Sequence, residues 1–182
     1  MNNNEKSLLQ KIKQSDRNAF QQIFTKYHPI LFRYIYYRIK NYSLAQDIVQ
    51  ETFLKVWLNR ESLKPRLAFF PYIVKISSNL VKDHYKHEQV RSKYKNSIPI
   101  IENSMNDDPD AALDFNLLEQ QINTTVNNNL PEKCRTIFIL SRVEGKSNQE
   151  IADLLNISKK TVENQLYHAL KVLRTKLADF FS

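Results

Sequence analysis

The sequence predicts an all-α protein of two small helical domains joined by a flexible acidic linker, the second domain carrying a helix-turn-helix. Three observations predict it. Apolar residues recur at three-and-four spacing through most of the chain, the pattern of one buried helical face. Of 182 residues only Gly145 is a glycine, so turn-rich β folds and glycine-fingerprint phosphate loops lack the residue that tolerates positive φ and close backbone approach. Charge falls in blocks: residues 1–100 carry 18 Lys/Arg and 7 Asp/Glu, residues 101–130 carry 6 acidic and no basic side chains, and residues 131–182 carry 9 and 6. Two basic blocks around an acidic stretch with Asp107, Asp108, Pro109 and Asp110 read as domains over 5–92 and 113–182 with a linker at 93–112.

Composition narrows the function classes. An apolar content of 42% is enough for packed cores, and a net charge of +8 favours a polyanionic partner through counterion release. Cys134 has no second thiol to pair with and lies in an apolar run, so a buried residue in a reducing compartment is expected. The opening is polar, and no apolar run approaches the roughly 20 residues of a bilayer span; the expected location is cytoplasmic.

The first helix announces itself at Phe20, Ile23, Phe24, Tyr27, Leu31, Tyr34 and Ile35, and Pro29 predicts a kink or break in it by removing an amide donor. Ser43 with Gln46 three residues on has the capping-box spacing and predicts the start of a second helix, with Ala45, Ile48, Val49, Thr52, Phe53, Val56 and Trp57 as its buried stripe. Its other face holds Asp47, Gln50, Glu51, Leu54 and Leu58. That face is either an ordinary solvated one or a docking surface, with leucines as anchors and carboxylates as orienting acceptors. A basic loop follows over 59–67, where Arg60, Lys64, Pro65 and Arg66 could hold a single-stranded base. The third helical stretch, 68–88, buries Phe69, Tyr72, Ile73, Ile76, Leu80 and Val81 and interleaves Lys75, Asn79, Lys82, Asp83, Tyr85 and Lys86. Cations beside flat rings suit an unstacked nucleic-acid strand, although a plain amphipathic helix would read the same way.

The second domain begins with Leu113, Leu117, Leu118, Ile122 and Val126, restarts at Leu130-Pro131-Glu132, and buries Ile137, Phe138, Leu140 and Val143 before stopping at Gly145. The strongest local signal comes next. Ser147 and Glu150 form a capping box, Ala152 permits close helix approach, Asn156 suits a left-handed turn, and Ser158 caps a helix that turns Val162, Leu166, Ala169 and Leu170 inward. That is a helix-turn-helix. Its outward residues are Lys159, Lys160, Glu163, Asn164, Gln165, Tyr167 and His168; lysines suit phosphates, amides can pair with adenine, and Glu can accept from cytosine.

Catalysis finds little support. His84, His87 and Asp83 are the one ligand-like group, and no second cluster, nucleophile with base, or phosphate loop accompanies them. No enzyme, metal or cofactor is expected.

The run Ala45-Gln46-Asp47-Ile48-Val49-Gln50-Glu51-Thr52-Phe53-Leu54-Lys55-Val56-Trp57, then Asn79-Leu80 with Asp83 beyond, then Leu130-Pro131 and the block 145–174, resembles the extracytoplasmic-function (ECF) sigma factors in order and spacing. These are the minimal two-domain specificity subunits of bacterial RNA polymerase. The likeness runs from about Asn18 to Phe180, and residues 164–170 look most like the iron-transport-regulator branch of Bacteroidetes. The resemblance implies that Asp47, Gln50, Glu51, Leu54 and Leu58 dock on the clamp helices of the largest polymerase subunit. It implies that Arg60, Lys64, Arg66, Tyr72, Lys75, Asn79, Lys82, Tyr85 and Lys86 bind and open the minus-10 element. It assigns Ser158, Lys159, Lys160, Thr161, Glu163, Asn164, Gln165, Tyr167 and His168 to the minus-35 element. It further implies core polymerase and promoter DNA as partners, a membrane anti-sigma factor of the kind many relatives have, and an acidic linker suited to mimic a nucleic-acid strand. The competing expectation is a stand-alone helix-turn-helix regulator, which would bind duplex DNA without polymerase.

Overall fold

The computed structural model describes residues 3–94 and 109–178, and among these every regular element is a helix. Most of the linker predicted at 93–112, with Asp107 and Asp108, lies outside the described residues; helix has already resumed at Pro109. Among the described residues no helix is long and apolar enough to cross a membrane.

Helix α1 (Asn3–Lys13) lies against α2 (Arg17–Ile39), and a buried polar contact joins them. The Tyr27 hydroxyl donates to the carboxylate of Glu5, itself only 8% exposed, and Lys26 donates to the same oxygen at 2.8 Å. A buried carboxylate needs such partners, because unpaired it would lose its hydration without compensation. Burial and the neighbouring Glu5 carboxylate both push the Tyr27 hydroxyl far above its ordinary pKa, so it stays a donor. Helix α3 (Tyr42–Leu58) packs on α2 through aromatic pairs, Phe24–Phe53 at 4.8 Å and Phe20–Trp57 at 5.0 Å between ring centroids. A 3-10 turn (Arg60–Ser62) leads to α4 (Phe69–Tyr94), which closes this unit with Phe69, Phe70, Ile73 and Val74 in its core.

The second unit comprises α5 (Pro109–Asn129), α6 (Glu132–Arg142), α7 (Asn148–Leu155) and α8 (Lys159–Lys176), gathered around α8. Its core is built on Val126, Ile137, Ile139, Leu140, Ile151, Val162 and Ala169, all buried. Cys134 is buried as expected and points its thiol at the Gln165 carbonyl, 3.3 Å away.

Several local expectations are corrected. Of the kink or break expected at Pro29, the break does not occur: α2 is one continuous helix through it. An interior proline costs a helix about 3 kcal/mol, and here Tyr27, Leu31, Tyr34 and Ile35, each at most 1% exposed, hold both sides of it in place. Helix α3 is capped by Asn41, whose side chain accepts from the Leu44 amide at 3.0 Å, not by the Ser43–Gln46 pair. Asn is as good a cap as Ser, and its earlier position gains the first turn. Trp57 is half-buried, because it closes the edge of the aromatic cluster instead of entering it. Val143 is 38% exposed, since α6 ends at Arg142 and the chain turns away at Gly145 with φ 63°. In α4, Phe70 and Val74 join the core while Tyr72 and Ile76 are half-buried, so the buried stripe is displaced from the predicted one.

Candidate protein and nucleic-acid interfaces

The face of α3 opposite its core is open along its whole length. Asp47, Gln50, Glu51, Leu54 and Leu58 are all exposed, the two leucines by 55% and 65%, whereas Ala45, Ile48, Val49, Thr52, Phe53 and Val56 are buried. Lys55 neutralises Glu51 across one turn at 3.2 Å. Beside this ridge lies an apolar groove of about 460 Å³ between α2 and α3, lined by Phe20, Phe24, Phe53, Leu54 and Trp57 with Arg17, Gln21 and Gln50 at its rim. The aromatic share of this surface was missed in the sequence because Phe20, Phe24 and Trp57 carry core spacing; only their position at the outer edge of the helix pair leaves them accessible.

The loop between α3 and α4 is held rigidly. Arg60 donates to the Ser15 hydroxyl at 2.8 Å and the Trp57 carbonyl at 3.0 Å, and its guanidinium stacks over the Trp57 ring at 4.9 Å. Lys13 donates to the Leu63 carbonyl at 3.0 Å. Arg60 therefore shapes the loop, whereas Lys64 and Arg66 project from it. The loop and the start of α4 enclose a cavity of about 250 Å³ lined by Leu9, Ser62, Leu63, Lys64, Leu67, Ala68, Phe69 and Tyr72. Its walls are apolar and aromatic with one lysine at the edge, which fits a flat ring attached to a phosphate.

From that cavity a stripe climbs α4. Tyr72, Lys75, Asn79, Lys82 and Lys86 are three or four residues apart and so share one face. Tyr72 is half-buried and the others are exposed, as is Tyr85 beside them. Burial raises the hydroxyls of Tyr72 and Tyr85 above the ordinary tyrosine range, which keeps both rings neutral. The structure brings Arg38 and Lys40, at the end of α2, to the far end of this stripe: together with Tyr36, Lys82, Tyr85 and Lys86 they line a cleft of about 950 Å³ whose opposite wall is α5. Nothing in the local pattern of α2 could have placed those two cations next to α4.

His84 meets Glu88 at 3.6 Å across one turn. Among the described residues no three His, Cys, Asp or Glu side chains are grouped to hold a metal.

In the second unit the helix-turn-helix forms as its residues dictate. Ser147 Oγ accepts from the Glu150 amide at 3.3 Å, while the Glu150 carboxylate accepts from the Ser147 hydroxyl at 2.7 Å and from the Ser147 amide at 2.8 Å; the two bonds to the carboxylate hold Glu150 below the ordinary carboxylate range. Asn156 takes the left-handed conformation at φ 53°, and Ser158 accepts from the Thr161 amide at 3.0 Å to start α8. Ser158, Lys159, Lys160, Asn164, Tyr167 and His168 are exposed on α8, Tyr167 by 70%; Thr161, Glu163 and Gln165 are half-buried. Glu163 lies 3.9 Å from Lys160, so part of its charge is answered within the helix. The result is a helix with lysines at its N-terminal end and amides one turn further on, free along one side.

The α3 ridge, the α4 stripe and the exposed side of α8 fall inside the regions where the chain matches known families. Residues 23–91 match the family model described as Sigma-70 region 2, and residues 126–173 match that of Sigma-70, region 4, together well over half the chain. The chain is 26% identical to the ECF RNA polymerase sigma factor SigW of Bacillus subtilis, over 96% of this chain and 97% of that protein. It is 25% identical to the ECF RNA polymerase sigma-E factor of Haemophilus influenzae, over 95% of each, and 26% identical to the RNA polymerase sigma factor CarQ of Myxococcus xanthus. In fold it is similar to CnrH solved with the cytosolic domain of CnrY, with a TM-score of 0.58, 22% identity, and 99% of this chain and 100% of that one covered. It is also similar to the sigma factor RpoE solved with the anti-sigma factor NepR from Bartonella quintana, with a TM-score of 0.53, 19% identity, and 87% and 96% covered.

Proposed function

Because this chain belongs to the ECF sigma factors, and so directs promoter-specific initiation of transcription by RNA polymerase, we propose how its surfaces divide that work. The ridge of Asp47, Gln50, Glu51, Leu54 and Leu58, with the groove beside it, docks on the clamp helices of the largest polymerase subunit. The observation that carries this reading is the pair of wide-open leucines on a helix whose opposite face is fully packed. Apolar area beside exposed carboxylates suits a polar-rimmed protein contact.

Lys64, Arg66, Tyr72, Lys75, Asn79, Lys82, Tyr85 and Lys86 take the minus-10 element as a separated strand. The cations meet phosphates, and the cavity beneath the loop takes an extruded base. Arg60 serves this site by positioning the loop. The exposed side of α8 reads the minus-35 element in duplex form, with Lys159 and Lys160 on phosphates and Asn164 and Gln165 nearest the base edges. In this reading 5–92 is the polymerase and minus-10 domain, 93–112 the linker and 113–182 the minus-35 domain. Two similar proteins are solved with a partner, CnrH with the cytosolic domain of CnrY and RpoE with the anti-sigma factor NepR, which supports an anti-sigma partner for this chain; in this reading the chain acts in the cytoplasm and the partner sits at the membrane. Residues 164–170 support the iron-transport-regulator branch.

The Sigma-70 region 2 match over 23–91 disfavours a regulator that acts through the helix-turn-helix alone. Run-off transcription from genomic fragments with purified core polymerase tests the proposal: transcripts that require this protein support it. Core and protein eluting as two separate species would overturn it.

A further inference from the structure

We propose that Arg60 is a relay between the groove beside the α3 ridge and the cavity under the loop, so that polymerase seated in the groove and a base seated in the cavity each tighten the hold on the other. The relay rests on the docking and minus-10 readings of those two surfaces and goes beyond them in joining them.

The groove and the cavity share no lining residue, and Arg60 lines neither. It reaches both through its own bonds. Its guanidinium lies 4.9 Å from the Trp57 ring centroid, and Nη1 donates to the Trp57 carbonyl at 3.0 Å. That same ring walls the groove together with Phe20, 5.0 Å away, and is half-buried. In the other direction the Arg60 carbonyl accepts from the Leu63 amide at 3.1 Å, and the cavity wall begins two residues on with Ser62, Leu63 and Lys64. A displacement of Arg60 therefore displaces that wall.

Ser15 supplies a third point of attachment. Its hydroxyl accepts from Arg60 Nε at 2.8 Å, and its backbone stands at φ 67°, a left-handed conformation that crowds a serine Cβ. Glycine would sit there without that crowding, so what serine adds is the hydroxyl. Lys13 donates to the Leu63 carbonyl at 3.0 Å, and Leu9 of the same helix lines the cavity. The loop is thus clamped between α1 and the Trp57 ring, and Arg60 is the side chain that spans them.

A cation over an aromatic ring is held more strongly once water is excluded from the pair. Polymerase covering the groove takes Trp57 out of water and strengthens the stack, which fixes the cavity wall before a base arrives. A base in the cavity holds residues 62–64 and keeps Arg60 on the ring. By linkage, each event favours the other by the same factor.

Trp57 is the only tryptophan in the chain, so its emission reads the groove while the cavity is being filled. The probes are single-stranded oligodeoxynucleotides of about eight residues, one each of adenine, cytosine and thymine. At saturation on the full-length protein, the tightest binder of the three is expected to shift Trp57 emission to shorter wavelength. Arg60→Gln is expected to keep its helicity, lose that shift at saturation and bind the oligonucleotide about threefold more weakly. Arg60→Lys keeps the charge but not the planar fork and is expected to behave like Arg60→Gln; parent-like behaviour would make Arg60 a plain phosphate contact and overturn the relay. Ser15→Gly relieves the crowded backbone while removing the hydroxyl, so it is expected to melt no lower than the parent yet lose most of the shift. A full shift in Arg60→Gln or Ser15→Gly overturns the relay. With core polymerase, the oligonucleotide is expected to tighten binding of the parent about threefold more than that of Arg60→Gln, and equal tightening overturns the relay as well. The failures are distinguishable. A parent that binds none of the oligonucleotides overturns the minus-10 reading and the relay with it, and one that leaves core unbound overturns the docking reading and the relay. Binding of both with an unmoved Trp57 emission overturns the relay alone.

Discussion

Asp47 and Glu51 stand one turn apart on the open face of α3, and their worth depends on what covers them. In water they contribute little, but under a partner helix a carboxylate that accepts hydrogen bonds is expensive to lose. Replacing both with Ala is expected to weaken binding to core polymerase by about 2 kcal/mol, or about 30-fold in Kd. Fluorescence anisotropy with labelled protein measures it; undiminished affinity removes the pair from the interface. On α8, Asn164→Ala or Gln165→Ala is expected to relax preference at one or two minus-35 positions by about 1–3 kcal/mol, read by transcription from a randomised promoter pool. Glu150 supplies a pH test. Its folded pKa is depressed by the Ser147 bonds, so its contribution is present above the unfolded value and lost as pH falls through the folded one. Glu150→Gln should therefore flatten the acid side of the Tm profile as pH falls below the unfolded glutamate pKa of about 4.3, where the parent falls more steeply.

At the scale of elements, capping and turn chemistry explain where helices begin and end. The helix-turn-helix was legible because Ser147, Glu150 and Ser158 act through capping bonds three residues apart and Asn156 through its own left-handed backbone, so their types and spacing already specify the geometry. The start of α3 was misread for a related reason: Asn41 and Ser43 are both competent caps, and local spacing does not rank them. Asn41→Ala should lower stability by about 1 kcal/mol in chemical denaturation while Ser43→Ala changes it little. Gly145 has open space around its Cα yet sits at φ 63°, so Gly145→Ala should cost about 1 kcal/mol through backbone conformation alone. A cost near zero would mean the turn re-forms.

Across the whole molecule the net charge of +8 is spent unevenly, and that distribution is measurable. If Lys75, Lys82 and Lys86 meet phosphates of an opened strand, their triple replacement with Ala should reduce the salt dependence of open-complex formation, d log K/d log[salt], by about 2. An unchanged slope would return those lysines to ordinary solvation. Helical class, most of the buried stripe of α2 and α3, the helix-turn-helix and the open ridge of α3 were encoded in residue order, because they depend on periodicity and on contacts within a turn or two, whereas α1 went unread and the α4 stripe was misplaced. Which helix met which was not encoded there. Leu9 shares a cavity with Tyr72, Arg60 is tied back to Ser15, Arg38 and Lys40 border the α4 stripe, and Glu144 closes on Arg33. Each of those depends on the packing of α1, α2 and α4 or on how the two units meet. Helical spacing records that a face is apolar or charged but carries no address for its partner, and only the packed chain supplies one.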